Sequence, residues 1–267
     1  MHPTNHSLSR ARVGVVGAGR LGTALAAALR AAGVGVHGPL ERAERPRDCQ
    51  AVILCVPDAE IAAAAADLAG AAPLTGHTSG ATPLAALEPA GGERFGLHPL
   101  QSFAPGAGAG SFAGAGCAVA GSSAEALAFA EGLARALGMT PFEIDDEGRG
   151  AYHAAASMAS NFLVTLLAAA ERVGAGGGLE AGEARALLAP LVRRTVENVA
   201  ELGPERALTG PVARGDVPTV ERQRTAVAET APELLALFDE LVRRTEALAG
   251  AGAAPSGARS ASRVGAG

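Results

Sequence analysis

The most constraining feature of the sequence is a short apolar run that turns on three glycines into a helix-forming stretch. Residues 13–25 read VGVVGAGRLGTAL, which gives Gly17, Gly19 and Gly22 the spacing G-x-G-x-x-G. The first glycine of this pattern permits a tight turn, the second lets a pyrophosphate approach the backbone, and the third lets helix pack on strand. The helix N-terminus then attracts phosphate through its free N–H groups. The segment predicts a dinucleotide-binding fold, the alternative being a chance glycine-rich turn. The expected phosphate contacts are Gly17, Ala18, Gly19, Arg20, Leu21 and Gly22.

Bulk composition is that of an ordinary enzyme rather than of a nucleic-acid or membrane protein. The chain has 267 residues and a formal net charge of −5, which argues against nucleic acid and anionic membranes as partners. The N-terminal residues lack the apolar core of a signal peptide, and polar residues interrupt the uncharged stretch 151–170, so we expect no bilayer span. Three cysteines without metal-ligand spacing predict reduced thiols, no metal site and a cytoplasmic location.

The chain contains no lysine, because all 22 basic residues are arginine. Arginine does not give up its proton at working pH, so a lysine Schiff base or a lysine acid is excluded from any mechanism.

Two halves of the sequence have different patterns. The first alternates short β-branched or apolar runs with helical runs and predicts a mostly parallel sheet, whereas only helical patterns follow Asp145-Asp146. We therefore predict an α/β fold: a Rossmann-type domain over 12–149 and an all-α domain over 150–248, with disordered tails at 1–11 and 249–267. The predicted strands lie near residues 13–16, 34–37, 51–56, 74–78, 94–97, 117–120 and 141–144.

Polar residues follow several strands at the edge where open α/β sheets bind ligands. Val56-Pro57 ends the third strand, His77-Thr78-Ser79 the fourth, and His98 to Gln101 the fifth. Histidine can transfer protons near neutral pH, so His98 is predicted to be a catalytic acid/base or a substrate ligand, with a strand-end cap as the alternative. His77 has the same alternatives, since HTSG could be a turn whose backbone meets the cofactor. Ser79 is expected to contact both cofactor and substrate. The other expected cofactor contacts outside the glycine turn are Arg42, Val56, Pro57, His77 and Thr78.

A polar stripe runs along the predicted helix over 150–173. His153, Ser157, Asn161 and Thr165 recur every four residues on an otherwise apolar helix. Such a stripe lines a ligand cleft or packs helix to helix through small residues, and both readings stay open.

Further along, Arg214 precedes a predicted helix. There it would bind a substrate carboxylate through two hydrogen bonds or pair with a neighbouring acid.

Cofactor preference is commonly set after the second strand, by an acid for NAD or a basic residue for NADP. No acid stands directly at His37-Gly38; Glu41 and Arg42 follow, and then Arg45. This pattern favours NADP over NAD.

Six segments together resemble one protein family. GAGRLGTALAAAL, AVILCVPDAEI, GHTSGA, LHPLQSF, AYHAAASMASNFLVTLLAAAE and ALTGPVARGD resemble bacterial proteins that join a Rossmann-like domain to a C-terminal DUF2520 domain, often labelled NADP- or F420-dependent oxidoreductase-like. The group is similar to pyrroline-5-carboxylate reductases and 6-phosphogluconate-dehydrogenase-like enzymes. The resemblance covers residues 12–248 and implies a homodimer formed through the helical domain, but no particular substrate.

Two departures from better-known relatives bear on the chemistry. β-Hydroxyacid dehydrogenases carry a catalytic lysine four residues before an asparagine, and here those positions hold Ser157 and Asn161. Prephenate dehydrogenases carry a catalytic histidine in an HP motif, which His98-Pro99 resembles.

The sequence thus predicts an NADP-dependent oxidoreductase that acts on a small, anionic metabolite held between the domains, with F420 as another candidate cofactor. His98, Ser157 and Asn161 are the expected catalytic residues. The expected substrate contacts are Ser79, His98, Gln101, His153, Ser157, Asn161 and Arg214. The alternative is a nucleotide-binding or redox-sensing module without turnover.

Overall fold

The computed structural model describes residues 11–41 and 44–253. Its first part contains a seven-stranded sheet with the order β2-β1-β3-β4-β5-β6-β7. The first five strands are parallel, β6 runs antiparallel to β5, and β7 is parallel to β6. The strands are β1 (Arg12–Val16), β2 (Gly35–Leu40), β3 (Ala51–Leu54), β4 (Leu74–His77), β5 (Glu93–Leu100), β6 (Gly116–Gly121) and β7 (Thr140–Glu143). All seven predicted strands are present, and the predicted α/β class is confirmed.

Alternation of side chains along the central strands creates two apolar layers. In β3, Ile53 belongs to the cluster on one face, whereas Val52 and Leu54 belong to the cluster on the other. Helices α1 (Arg20–Ala31) and α3 (Ala124–Ala136) cover the first face, and α2 (Ile61–Asp67) covers the second. The sheet is therefore buried on both sides, as a mostly parallel sheet requires.

The connection between β2 and β3 has no helix in the described part, residues 41 and 44–50, as its prolines predicted. Strand β2 is longer than predicted and continues through Leu40.

The remaining elements are helical. They are α4 (Arg149–Ala159), α5 (Asn161–Gly176), α6 (Ala181–Leu202), α7 (Pro204–Ala207), α8 (Val217–Thr230) and α9 (Leu235–Ala253). The predicted continuous helix over 150–173 is wrong at one point, because Ser160 leaves helical geometry with φ −121° and ψ −76°. The chain divides into two compact units next to this break, one ending at Asn161 and the other beginning at Phe162.

The ends of the later helices agree in part with their sequence signals. Asp216 caps α8, since its carboxylate accepts a hydrogen bond from the Thr219 N–H at 3.2 Å, as expected of Asp at this position. Helix α9 continues to Ala253, which corrects the predicted tail from residue 249. Alanine, the strongest helix former, alternates with glycine over residues 249–253, where the helix continues. The predicted tails over 1–10 and 254–267 lie outside the described residues.

The stretch Arg149–Gly176 is long and apolar enough to cross a membrane by length and composition alone, since an 18-residue window within it has a mean hydropathy of 1.3. None of the residues in that 18-residue window is buried. Large apolar side chains within it are exposed, namely Met158 (66%), Phe162 (61%) and Val164 (67%).

Candidate active site

The glycine turn between β1 and α1 has two positions where no other residue fits. Gly17 has φ +108°, and a Cβ there would lie 2.3 Å from the Cys55 carbonyl oxygen. A Cβ on Gly22 would lie 1.9 Å from the carbonyl oxygen of Gly17. These contacts explain why the turn is tight and why α1 starts directly against the strand.

Gly19 is different, because nothing lies within 4 Å of its ideal Cβ position. It is the N-cap residue of α1 in an extended conformation, with no side chain bonded to the helix end and no acid in the first turn. The helix N-terminus is thus uncapped and open, and a phosphate group would fit against it. The residues present fit the pyrophosphate of a dinucleotide.

A first cleft of about 700 Å³ opens beside this turn. Gly17 and Val56 line it together with Glu41, Glu44 and Arg45. The expectation that the second strand has no acid at its end is wrong, because β2 reaches Leu40 and Glu41 follows it at once. The Glu41 N–H donates to the Glu44 carboxylate at 2.7 Å.

Of the other predicted cofactor ligands after the strands, Arg42 lies outside the described residues. Pro57 precedes the short 3-10 helix Asp58–Glu60. Thr78 is buried, and its hydroxyl donates to the Leu54 carbonyl at 3.4 Å.

The polar side chains at the end of β4 and at the start of the following loop are buried within the fold. His77 is fully buried, and its Nδ1 accepts a hydrogen bond from the Ser79 N–H at 3.2 Å. Burial lowers the pKa of His77 to about 4, helped by the nearby Arg149 charge. His77 is therefore a neutral, fully buried residue. The sequence suggested that its side chain contacts a ligand, but the side chain is not accessible to one.

Ser79 has a similar structural role. Its hydroxyl accepts from the N–H groups of Ala81 (3.2 Å) and Thr82 (2.9 Å) and donates to the Thr82 hydroxyl at 2.9 Å. One donor and two acceptors are all that a hydroxyl offers. The predicted contact of Ser79 with substrate is corrected accordingly, since the hydroxyl is used in shaping the loop.

A second cleft, of about 570 Å³, contains most of the predicted substrate residues. The end of β5, helix α4 and the first residue of α5 bring together His98, Gln101, His153, Ser157 and Asn161. Thr165, the fourth member of the predicted stripe, lies beyond the Ser160 break in the other unit. Among the described residues that line this cleft there is no Asp, Glu or Arg.

His98 is held by two aromatic neighbours on α4. Its Nδ1 lies 2.6 Å from the Tyr152 hydroxyl oxygen, and the His98 and His153 ring centroids are 6.1 Å apart. Burial, and next the charge of His153, lowers the pKa of His98 to about 4. Roughly one His98 side chain in a thousand is a cation at pH 7 with such a pKa.

Gly80 explains why the HTSG loop ends in glycine. A Cβ at this position would lie 2.8 Å from His98 Cε1 and 3.0 Å from His153 Cδ2. The backbone of the loop therefore packs directly on both imidazoles, which only a residue without a side chain allows.

Two residues of this region escaped the sequence reasoning. Tyr152 contacts His98, and burial raises the pKa of Tyr152 to about 12. Arg149 is 3% exposed and bonded through Nε to Asp146 at 2.7 Å, and its charge lowers the pKa of both His77 and His98. The chain's only tyrosine, placed next to a histidine, was an available signal for the first; one arginine among many gave none for the second.

Arg214 lies in the helical unit, exposed in the turn before α8. It makes no ion pair with a carboxylate of the described residues. The neighbouring Asp216 has its pKa lowered mainly by its bonds to Thr219, with Arg214 the weakest of the causes. The clamp role of Arg214 remains a prediction.

The comparisons with known proteins agree with this architecture. Residues 115–245 match a family described as a domain of unknown function, DUF2520. A search of the curated proteins returned no match.

Solved structures resemble nearly the whole chain. A "putative NADP oxidoreductase" from Bacteroides fragilis is 23% identical with a TM-score of 0.77, over 90% of this chain and 99% of that one. A protein of Thermotoga maritima is 25% identical with a TM-score of 0.70, over 90% and 98%. Plasmodium falciparum pyrroline carboxylate reductase with NADP bound is 13% identical with a TM-score of 0.60, over 91% and 99%. The chain therefore has the fold of these proteins.

Proposed function

We propose that the protein is an NADP-dependent oxidoreductase acting on a small metabolite. The observation that carries the proposal is the open helix N-terminus at Gly19, on a turn whose other two glycines are required by internal packing. The descriptions of the Bacteroides and Plasmodium structures support the same cofactor. The second cleft, with His98 and hydrogen-bonding side chains, would receive the metabolite.

In this proposal the turn from Gly17 to Gly22 and the first cleft hold the dinucleotide. When bound, the nicotinamide exchanges a hydride with the metabolite. The free N–H groups at the start of α1 would bind the pyrophosphate, and Val56 lines the first cleft. Arg45 would bind the 2′-phosphate that distinguishes NADP from NAD, whereas Glu41 stands where an acid would bind a free ribose diol.

Thermal-shift titration of the purified chain with NADPH, NADH and F420 tests the cofactor. A ligand that binds only the folded state raises the melting temperature, and we expect the largest rise with NADPH. Arg45→Ala should reduce the rise with NADPH and leave that with NADH unchanged, while Arg135→Ala, at an exposed pair with Glu131 on α3, serves as the control. Equal rises with NADPH and NADH, or none with any of the three ligands, contradict the proposal.

His98 is the proposed acid/base residue, with one change from the sequence expectation. Its pKa of about 4 makes the imidazolium scarce at neutral pH, so the ring would work in its neutral form, as a base or as a hydrogen-bond donor, rather than as a cationic acid. Ser157 and Asn161 would orient the metabolite, and Gln101 and His153 complete the lining. Once a substrate is identified, His98→Gln should lower kcat; unchanged turnover would remove His98 from the chemistry.

A binding module without turnover is the second candidate. It is favoured by the lining of the second cleft, which contains neither a lysine nor a carboxyl group that could donate a proton to the metabolite. NADPH consumption with a panel of small carbonyl compounds separates the candidates. Tight NADPH binding with no consumption across the panel supports the module.

Three further expectations belong to this proposal. An anionic group on the metabolite would be bound by Arg214, and Arg214→Ala should then raise KM for an acidic substrate without lowering kcat. The working location would be the cytoplasm, which cell fractionation tests.

The chain would also form a homodimer through its helical domain, since apolar side chains there are exposed, among them Phe162, Val164 and Leu191 at 61–67%. Light scattering on the protein as it elutes from a size-exclusion column should give twice the chain mass. Phe162→Glu should shift the measured mass towards that of the monomer. A monomer in the unmodified protein contradicts this expectation.

A further inference from the structure

The side chain of Tyr152 has no role in the proposed function. The Tyr152 hydroxyl and His98 Nδ1 are 2.6 Å apart, and their rings meet edge to face with centroids 5.5 Å apart. Phe142 packs on Tyr152 with a centroid distance of 5.8 Å. Tyr152 is thus fixed between a strand residue and the histidine of the second cleft.

The direction of this hydrogen bond follows from its length and from the groups around it. A neutral histidine carries its proton on either Nδ1 or Nε2, and only one arrangement leaves Nδ1 free to accept. A distance of 2.6 Å is typical of an O–H donor and shorter than N–H donors commonly reach. The raised pKa of Tyr152 keeps its proton on the hydroxyl, and His98 Nδ1 is the one acceptor found for it among the described residues. Tyr152 therefore donates, and Nδ1 accepts.

The other ring nitrogen of His98 then carries the proton. His98 Nε2 has no hydrogen-bond partner among the described residues, and it is not one of the buried nitrogens without a partner, which belong to His77 and Arg94; the atom is therefore accessible. His98 lines the second cleft, and Gly80 packs against the Cε1 and Nδ1 side of its ring. The Nε2–H group is left free for a ligand.

We propose that Tyr152 holds His98 in the neutral Nε2–H tautomer, so that the second cleft binds an uncharged carbonyl oxygen of its ligand through this N–H. Tyr152 is a positioning residue, since it acts through His98. The tautomer also bears on the direction of the reaction. An Nε2–H group polarises the carbonyl of a compound that is to be reduced, whereas abstraction of an alcohol proton needs an unprotonated Nε2.

The nature of the ligand rests on the proposed function, but the tautomer does not. Charged groups that act on His98 come from several elements: His153 and Arg149 on α4, and Asp58 in the 3-10 helix after β3. None of them forms a hydrogen bond with the ring among the described residues, so Tyr152 is the group that selects the tautomer.

Nitrogen-15 NMR of the full chain labelled at histidine tests the proposal at neutral pH without cofactor. The two nitrogens of each tautomer differ in chemical shift and in their couplings to the ring protons, and His98→Gln assigns the signals. We expect the Nε2–H pattern for His98 in the unmodified protein and a mixture or the Nδ1–H pattern in Tyr152→Phe. Phe142→Leu is the matched control, because it alters packing on Tyr152 but keeps the hydroxyl, and it should retain the Nε2–H pattern.

An Nδ1–H pattern in the unmodified protein overturns the proposal, and so does an unchanged Nε2–H pattern in Tyr152→Phe. The first of these readouts does not use Tyr152→Phe, so poor folding of that variant leaves the proposal falsifiable. NADPH binding, measured separately by thermal shift, distinguishes a failure of the tautomer from a failure of the proposed function.

Discussion

The sharpest prediction compares alanine at Gly19 with alanine at Gly22. Gly19 has a backbone conformation that alanine adopts readily, φ −69° and ψ −178°, and nothing lies within 4 Å of the new methyl group. Gly19→Ala should therefore cost less than about 1 kcal/mol of folding free energy, the range for an N-cap change. Gly22→Ala would put a methyl carbon 1.9 Å from the Gly17 carbonyl oxygen and should cost about 3 kcal/mol or more.

Cofactor binding should respond in the opposite order. A methyl group at Gly19 holds the pyrophosphate away from the helix N-terminus and removes a hydrogen bond to a charged group, worth about 1.5–3 kcal/mol. Affinity then falls about 10- to 100-fold. At an NADPH concentration of 100 Kd for the unmodified protein, the stabilisation is about 2.7 kcal/mol, and in Gly19→Ala it drops to about 0.4–1.4 kcal/mol.

Differential scanning fluorimetry with and without NADPH measures both effects. For a chain of this size each kcal/mol corresponds to about 2–4 °C in melting temperature, so a rise of about 5–11 °C should shrink to about 1–6 °C. Gly33→Ala is unsuitable as a control because of its positive φ, whereas Gly150→Ala in α4 has open space and serves well. Undiminished NADPH stabilisation of Gly19→Ala would refute the assignment of this turn to the pyrophosphate.

Three other predictions concern charges in the first unit. Tyr152 is the only tyrosine and the chain has no tryptophan, so tyrosinate absorbance should titrate with one midpoint near pH 12; a midpoint near 10 contradicts the burial argument. The pKa of His77 is about 4 when folded and near 6.5 when unfolded, so its stabilising effect is complete above pH 6.5 and is lost as pH falls towards 4, by about 3 kcal/mol. Urea denaturation of His77→Asn should show a flatter dependence over that window than the unmodified protein. Asp146→Asn, which leaves the buried Arg149 without its carboxylate, should cost about 1–3 kcal/mol and more than Arg149→Met, as thermal denaturation of the two variants would report.

Much of the fold was readable because local signals and the packing agree. Short apolar runs such as 51–54 are buried on both faces in a parallel sheet, and seven of them became strands. The antiparallel direction of β6 could not be read, because apolar strands of either direction look alike in sequence. The break at Ser160 was also hidden, since no proline or glycine marks it.

The candidate site was predictable where function depends on position along a strand or helix. Strand ends and four-residue spacing correctly grouped His98 with His153 and Ser157 in one cleft. The same rules failed for His77 and Ser79, because burial and loop hydrogen bonds depend on contacts that spacing does not encode. Glu41 was misjudged for the simpler reason that β2 runs three residues further than its apolar pattern indicates.

Gly80 supplies a criterion for recognising other chains with the same chemistry. The methyl group of even an alanine at that position would meet two imidazole rings at 3.0 Å or less, so the histidine pair and the glycine can change only together. A chain that has H-T-S-G after one strand, H-P in the next and Y-H on the following helix should keep the Tyr152–His98 geometry. A chain with a larger residue in place of the glycine should have a differently placed histidine, even where every other motif is present.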